Sequence, residues 1–241
     1  MSSALTVIPA RLGSTRFPRK VLARLAGRTL VEWCWRAAKA ARLGPVLVAV
    51  DSREVADEVR RFGGEAVMTP PSCPSGSDRV WLAARGRREA VIVNYQGDMP
   101  FLRASTLRAA VKALTTRTDI STAVIPLTDA RRAADFNVVK AVRAEDGRCL
   151  YFSRAKVPHA RDEGPQTLWE HLGIYVYRRE ALRRFVSLPP SRLENTEKLE
   201  QLRALEAGMT LRAAVVDERP VSVDVPADLT RASRLRLRGN A

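Results

Sequence analysis

The sequence predicts an α/β fold: a mixed, mostly parallel sheet covered by helices on both faces, with a smaller β-rich extension. Three observations carry this. Short apolar runs at 5–8, 46–50, 65–68 and 91–94 alternate with helix-like segments through the first half. These runs are nearly continuous in apolar residues, as strands buried on both faces must be. From about residue 121 the pattern changes to strand-like runs at 121–127, 138–142, 149–153 and 168–177 with no long helix between them, which fits antiparallel pairing.

Taken in order, 5–8 is a first strand and 30–42 a helix. The run 46–50 ends at Asp51-Ser52, a good cap for a helix over 53–62 that Gly63-Gly64 stops. A third strand at 65–68, a helix over 79–85, a fourth strand at 91–94 and a helix over 104–115 complete the first half. After the extension, helices resume at 180–186, 193–207 and 226–236. Ligands of such sheets bind beyond the carboxyl ends of the strands, where the loops after Ile8, Met68 and Asn94 converge.

The loop after the first strand is the most telling. It carries Gly13, Ser14 and four cations, Arg11, Arg16, Arg19 and Lys20. Backbone N–H groups, a hydroxyl and several cations on one loop suit a polyphosphate. The glycine spacing and the Lys-Ser/Thr ending of a P-loop are absent. The formal net charge of +15 invites a nucleic-acid reading, but the excess is mostly Arg spread along the chain, without a dense block or aromatic interleaving. Three scattered cysteines, Cys34, Cys73 and Cys149, argue against a disulfide framework or a zinc site and suit a reducing compartment. With no apolar run of membrane-spanning length and no signal-like N-terminus, a cytoplasmic protein without membrane or nucleic-acid partners is expected.

Four further stretches hold candidate site residues. In 91–100 a strand opens into a turn with Gly97 and Pro100 and with Asp98 at its tip, placed either to hold Mg²⁺ or to cap the turn. Asp224 ends a short strand before a proline-opened helix, where an N-cap is the simpler role. In 193–203, Glu200 and Gln201 are adjacent on what reads as an ordinary amphipathic helix. In 169–178, His171, Tyr175 and Tyr177 alternate on one strand and so share a face.

Together these stretches resemble the cytidylyltransferases that activate 3-deoxy-manno-octulosonate (Kdo). The resemblance runs in order through Ile8-Pro-Ala-Arg-Leu-Gly-Ser-Thr-Arg-Phe-Pro-Arg-Lys20, Ser75-Gly-Ser-Asp-Arg79, Asn94-Tyr-Gln-Gly-Asp98, Tyr151-Phe-Ser-Arg-Ala155, His171-Leu-Gly-Ile-Tyr175, Leu199-Glu-Gln-Leu-Arg203 and Val223-Asp224. It implies a Rossmann-like nucleotidyltransferase domain over residues 1–241, with a sugar-binding and dimerisation extension at about 127–178. It implies CTP contacts from Ala10, Arg11, Ser14, Arg16, Lys20, Ser75, Gly76, Arg79 and Gln96, with Arg11, Lys20, Asp98 and Asp224 catalytic and the two aspartates on Mg²⁺. Gln96, Arg154, His171, Tyr175, Glu200 and Gln201 would meet an acidic, Kdo-like sugar, in a homodimer serving lipopolysaccharide or related surface-glycan synthesis. The sequence departs from the family pattern at Arg19, Cys73, Met99 and Asn195, and the last three keep a modified Kdo or a nonulosonic acid open as the acceptor.

Overall fold

A computed structural model describes residues 3–13, 16–162 and 167–238. The chain divides into two compact units, one formed by residues 1–107 with 220–241, the other by 108–219. The second takes in the β-rich stretch expected at about 127–178 and extends past it on both sides.

In the first unit, strands β1 (Ala4–Ala10), β4 (Val46–Val50), β5 (Glu65–Met68) and β6 (Val91–Asn94) form a parallel sheet ordered β5-β4-β1-β6. A small hairpin, β2 (Arg24–Leu25) with β3 (Arg28–Thr29), precedes the first helix. All five residues of β4 are buried, so both faces of the sheet are covered. Helices α1 (Leu30–Ala40), α2 (Arg53–Arg61), α3 (Gly76–Ala84) and α4 (Ala104–Lys112) alternate with the strands, and the unit boundary falls within α4. Thr29 caps α1 and Ser52 caps α2 through bonds to Glu32 N and Val55 N.

One apolar cluster positions the site. Leu25, Leu30, Trp33, Val223 and Ala232 are buried together, with Phe17, Phe101 and Val221 packed against them. Trp33 meets Phe101 edge-on at 5.4 Å and donates its Nε1–H to Leu25 O at 2.7 Å. Phe17 belongs to the cationic loop, Phe101 follows Asp98, and Val223 precedes Asp224, so burying these side chains draws the three polar segments together. The C-terminal helix Pro226–Arg238 contributes Ala232 and Leu229 to the same cluster. No strand forms over 221–224, contrary to expectation: Val223 N bonds only across to Asp98 O at 2.9 Å, while its side chain packs.

In the second unit, β7 (Ile120–Leu127) pairs antiparallel with β10 (Leu168–His171) and β11 (Tyr175–Arg178), and parallel with β12 (Leu211–Val215). Strand β8 (Lys140–Arg143), which follows the short helix α5 (Ala130–Ala134), pairs with both β10 and β9 (Cys149–Ser153). The expected strand over 168–177 is interrupted at Gly173, whose φ of 69° lies in the left-handed region. Helices α6 (Arg179–Ser187), α7 (Arg192–Glu197) and α8 (Gln201–Glu206) follow. The single helix expected over 193–207 is broken at Lys198 (φ 53°), because Arg203 turns back to grip both carboxylate oxygens of Glu194 at 2.6 and 2.8 Å.

Candidate active site

Arg11, Arg16, Lys20, Ser75, Gln96 and Asp98 are among the residues lining a cleft of about 400 Å³ in the first unit. Ala10 ends β1 and Arg11 opens the loop; Ser14 lies outside the described residues. A single 3₁₀ turn, Lys20–Leu22, then aims Lys20 inward. Its ammonium lies 3.1 Å from Asp98 Oδ2 and 3.3 Å from Asp224 Oδ1, and Arg16 adds a contact to Asp224 Oδ1 at 3.1 Å. Both carboxylates therefore address one point. Asp224 is not the helix cap: its own N–H and that of Val225 are taken by the Asp228 carboxylate, which leaves the Asp224 side chain free to face Lys20. Arg19 is turned away from this cluster into an ion pair with Glu54 of α2.

Burial pushes the Asp98 carboxyl up from its ordinary pKa; Lys20 opposes that shift and Asp224 adds to it. Gly97 packs so close to Pro9 O that a Cβ would stand 3.0 Å from it, which keeps the Asp98 turn against the end of β1. Two hard carboxylates sharing a cation's position suit Mg²⁺. Among the described residues no group of three or more His, Cys, Asp or Glu gathers for a metal, so substrate oxygens and water would complete its shell.

The opposite lining comes from α3. Ser75 is its N-cap, accepting from Ser77 N and Asp78 N, and Gly76 is its first residue. Gln96 Nε2 donates to Asn94 Oδ1 at 3.1 Å. Arg79, expected among the nucleotide contacts, also lines the cleft; its side chain is nearly buried and is held by Thr69 and Asp51. Cys73 also lines the cleft, while Cys34 and Cys149 are buried; all three are free thiols.

The residues expected at the sugar divide between the units. Gln96 is in the first. In the second, the rings of Phe152, His171, Tyr175 and Tyr177 follow one another at 4.9, 5.4 and 6.1 Å, so His171, Tyr175 and Tyr177 do share a face. Tyr175 donates its hydroxyl to Gln201 Oε1 at 2.9 Å, and Gln201 Nε2 is buried with no partner among the described residues, a donor that a ligand could use. Thr122 Oγ1 donates to Ile174 O, so at the 2.9 Å contact His171 Nε2 is the donor. Burial alone pushes the His171 pKa down to about 3. Glu200 stands at the N-cap of α8. Arg154 spends its guanidinium on the carbonyls of Glu197, Phe136 and Lys198.

A family model described as cytidylyltransferase matches residues 5–211. A 3-deoxy-manno-octulosonate cytidylyltransferase of Methylobacterium radiotolerans is 50% identical, with 98% of this chain and 97% of that protein covered. One of Parvibaculum lavamentivorans is 50% identical over 95% and 90%. A solved CMP:2-keto-3-deoxy-manno-octonic acid synthetase, complexed with CTP, superposes with a TM-score of 0.94 at 33% identity, covering 99% of this chain and all of that one. With the parallel sheet and the cationic cleft of the first unit in place, these likenesses make this chain a member of the 3-deoxy-manno-octulosonate cytidylyltransferase family.

Proposed function

We propose that the protein transfers CMP from CTP to the anomeric hydroxyl of Kdo, releasing pyrophosphate, in lipopolysaccharide or related surface-glycan synthesis. The observation that carries the reading is the Lys20 ammonium shared by Asp98 and Asp224 in a cleft that also presents Arg11 and Arg16. In the reaction the C2 oxygen of the sugar forms a bond to the α-phosphorus in line. The bond from that phosphorus to the bridging oxygen of the β-phosphate breaks, and the hydroxyl proton is lost.

Bringing a nucleoside triphosphate against a sugar carboxylate concentrates negative charge, and Arg11, Arg16 and Lys20 neutralise it. Their share in rate is electrostatic: they face the triphosphate as charge moves onto the leaving pyrophosphate. The N-cap turn at Ser75-Gly76 offers backbone donors on the other side of the cleft. Asp98 and Asp224 would hold Mg²⁺, which when bound polarises the phosphoryl group and acidifies the attacking hydroxyl. In the second unit, Tyr175, Gln201 and neutral His171 supply hydroxyl, amide and imidazole groups for the sugar, with Glu200 beside them in sequence.

A cytoplasmic homodimer belongs to the same reading. Leu150 on β9 and Val215 on β12 are 54% and 45% exposed, apolar surface that a second copy would cover. Light scattering after size exclusion tests that part. Among the described residues no helix is long and apolar enough to cross a membrane. The reaction is tested by pyrophosphate release from CTP with a panel of Kdo, modified Kdo and nonulosonic acids. Release with Kdo above all others is expected, and release with a nonulosonic acid alone would replace Kdo as the acceptor.

A further inference from the structure

The sequence offers Asp51-Ser52 as the cap of the helix after β4, and Ser52 takes that role, leaving Asp51 to other partners. Asp51 Oδ1 accepts from the N–H of Leu12 at 2.8 Å, the first peptide after Arg11 in the cationic loop. Its other oxygen, Oδ2, lies 3.5 Å from a guanidinium nitrogen of Arg79. The two side chains are only 10% and 3% exposed. Arg79 also donates to Thr69 Oγ1 at 2.6 Å, and that hydroxyl donates to Val50 O at 2.9 Å. One brace thus ties the start of the loop to the end of β4, the end of β5 and the body of α3, whose first turn lines the same cleft. Had Asp51 served only to neutralise a buried arginine, nothing would require one of its oxygens on a loop amide.

We propose that Asp51 is a positioning residue for the nucleotide loop, fixing its first peptide through Leu12 while Arg79 holds the carboxylate in orientation. This rests on the reading of the cleft as the CTP site. Holding that loop peptide sets the geometry of the phosphate-facing cations beside it, and a misplacement of about 1 Å costs on the order of a hundredfold in rate.

The test is calorimetric CTP binding, with KM for both substrates, in the wild type, D51A, D51N, R79M and D51A/R79M. D51A is expected to weaken CTP binding at least about fivefold while the KM for the acidic sugar moves less than about twofold. D51N keeps an oxygen for the Leu12 N–H and is expected to stay within about threefold of the wild type. If Arg79 acts through Asp51, the double variant is no weaker than the worse single one; if Arg79 met the nucleotide itself, the two losses would add. A D51A loss below fivefold, a D51N loss above threefold, additive losses, or an equal shift in sugar KM overturns the assignment. Should D51A fail to fold, D51N carries the test at the same threshold. A wild type that binds no CTP would instead overturn the reading of the cleft.

Discussion

Replacing Lys20 with Met keeps the aliphatic stem and removes the cation that Asp98 and Asp224 share. At the observed 3.1 and 3.3 Å, and with an effective dielectric of about 20, each contact has a gross attraction of about 5 kcal/mol. Most of that is offset by taking Lys20, whose side chain is only 14% exposed, out of water. The net penalty of Lys20→Met is therefore about 1–3 kcal/mol, the scale set by a half-buried charge left without its partner. The penalty has a definite pH dependence. Burial already raises the Asp98 pKa in the folded protein, and losing Lys20 removes the opposing influence. A carboxylate raised on folding binds more protons folded than unfolded, so stability falls as pH rises through the folded pKa and is restored below the unfolded value of about 3.9. Urea unfolding should show the difference between Lys20→Met and wild type in full at pH 7.5 and shrinking to zero, or reversing, toward pH 4. Adding Asp98→Asn to the variant should recover the loss at pH 7.5. CTP affinity, measured by calorimetry, should drop at least about tenfold, as expected for one charge-assisted phosphate contact. A stability difference of the same size at both pH values would refute the shared-cation geometry, and unchanged CTP affinity would remove Lys20 from the nucleotide site.

Asp98→Asn alone should lower cytidylyl transfer by more than about a hundredfold, read by pyrophosphate release, while its neutral-pH stability matches or exceeds that of the wild type because the amide avoids the ionised form that burial disfavours. His171 should stay neutral throughout the working range. Its unfolded form takes a proton near pH 6.5 and its folded form only near 3, so it contributes stability above 6.5 that is lost as pH falls through that window; acid unfolding of His171→Asn should be less steep there, with the activity profile between pH 6 and 8 unchanged in shape. Tyr175→Phe removes the 2.9 Å bond to Gln201, worth about 1 kcal/mol, and should raise the KM for the acidic sugar about fivefold with the CTP KM unmoved; an equal change in both would detach Tyr175 from the sugar.

Local signals in the chain were strong where one physical cause decides structure. The strands Val46–Val50, Glu65–Met68, Val91–Asn94 and Cys149–Ser153 fall where short runs rich in apolar residues, closed by Asp, Gly or turn residues, place them. Where a tertiary contact competes with the local pattern, the pattern misleads. The leucines at 199, 202 and 205 argue for one helix, yet the bidentate Arg203–Glu194 pair stabilises a break at Lys198 that no periodicity encodes. Strand β12 is poorly marked in the sequence because its Leu-Arg-Ala-Ala-Val has a single β-branched residue, Val215, and no aromatic one, and its extended form follows from pairing with the first half of β7. The site divides along the same line. Lys20, in the cation-rich loop after β1, and Asp98, beside Gly97 in the turn after β6, are legible one at a time. Asp224, 204 positions from Lys20, is a plain pre-helical aspartate by local criteria. What joins it to the loop is the packing of Phe17, Phe101, Val221 and Val223 around Trp33, and hydrophobic contact is non-directional and carries no spacing rule along the chain. The same packing accounts for the tolerance of repulsion between the two carboxylates and between Arg16 and Lys20: the apolar cluster holds their backbones in place, and the charges, given that placement, answer one another.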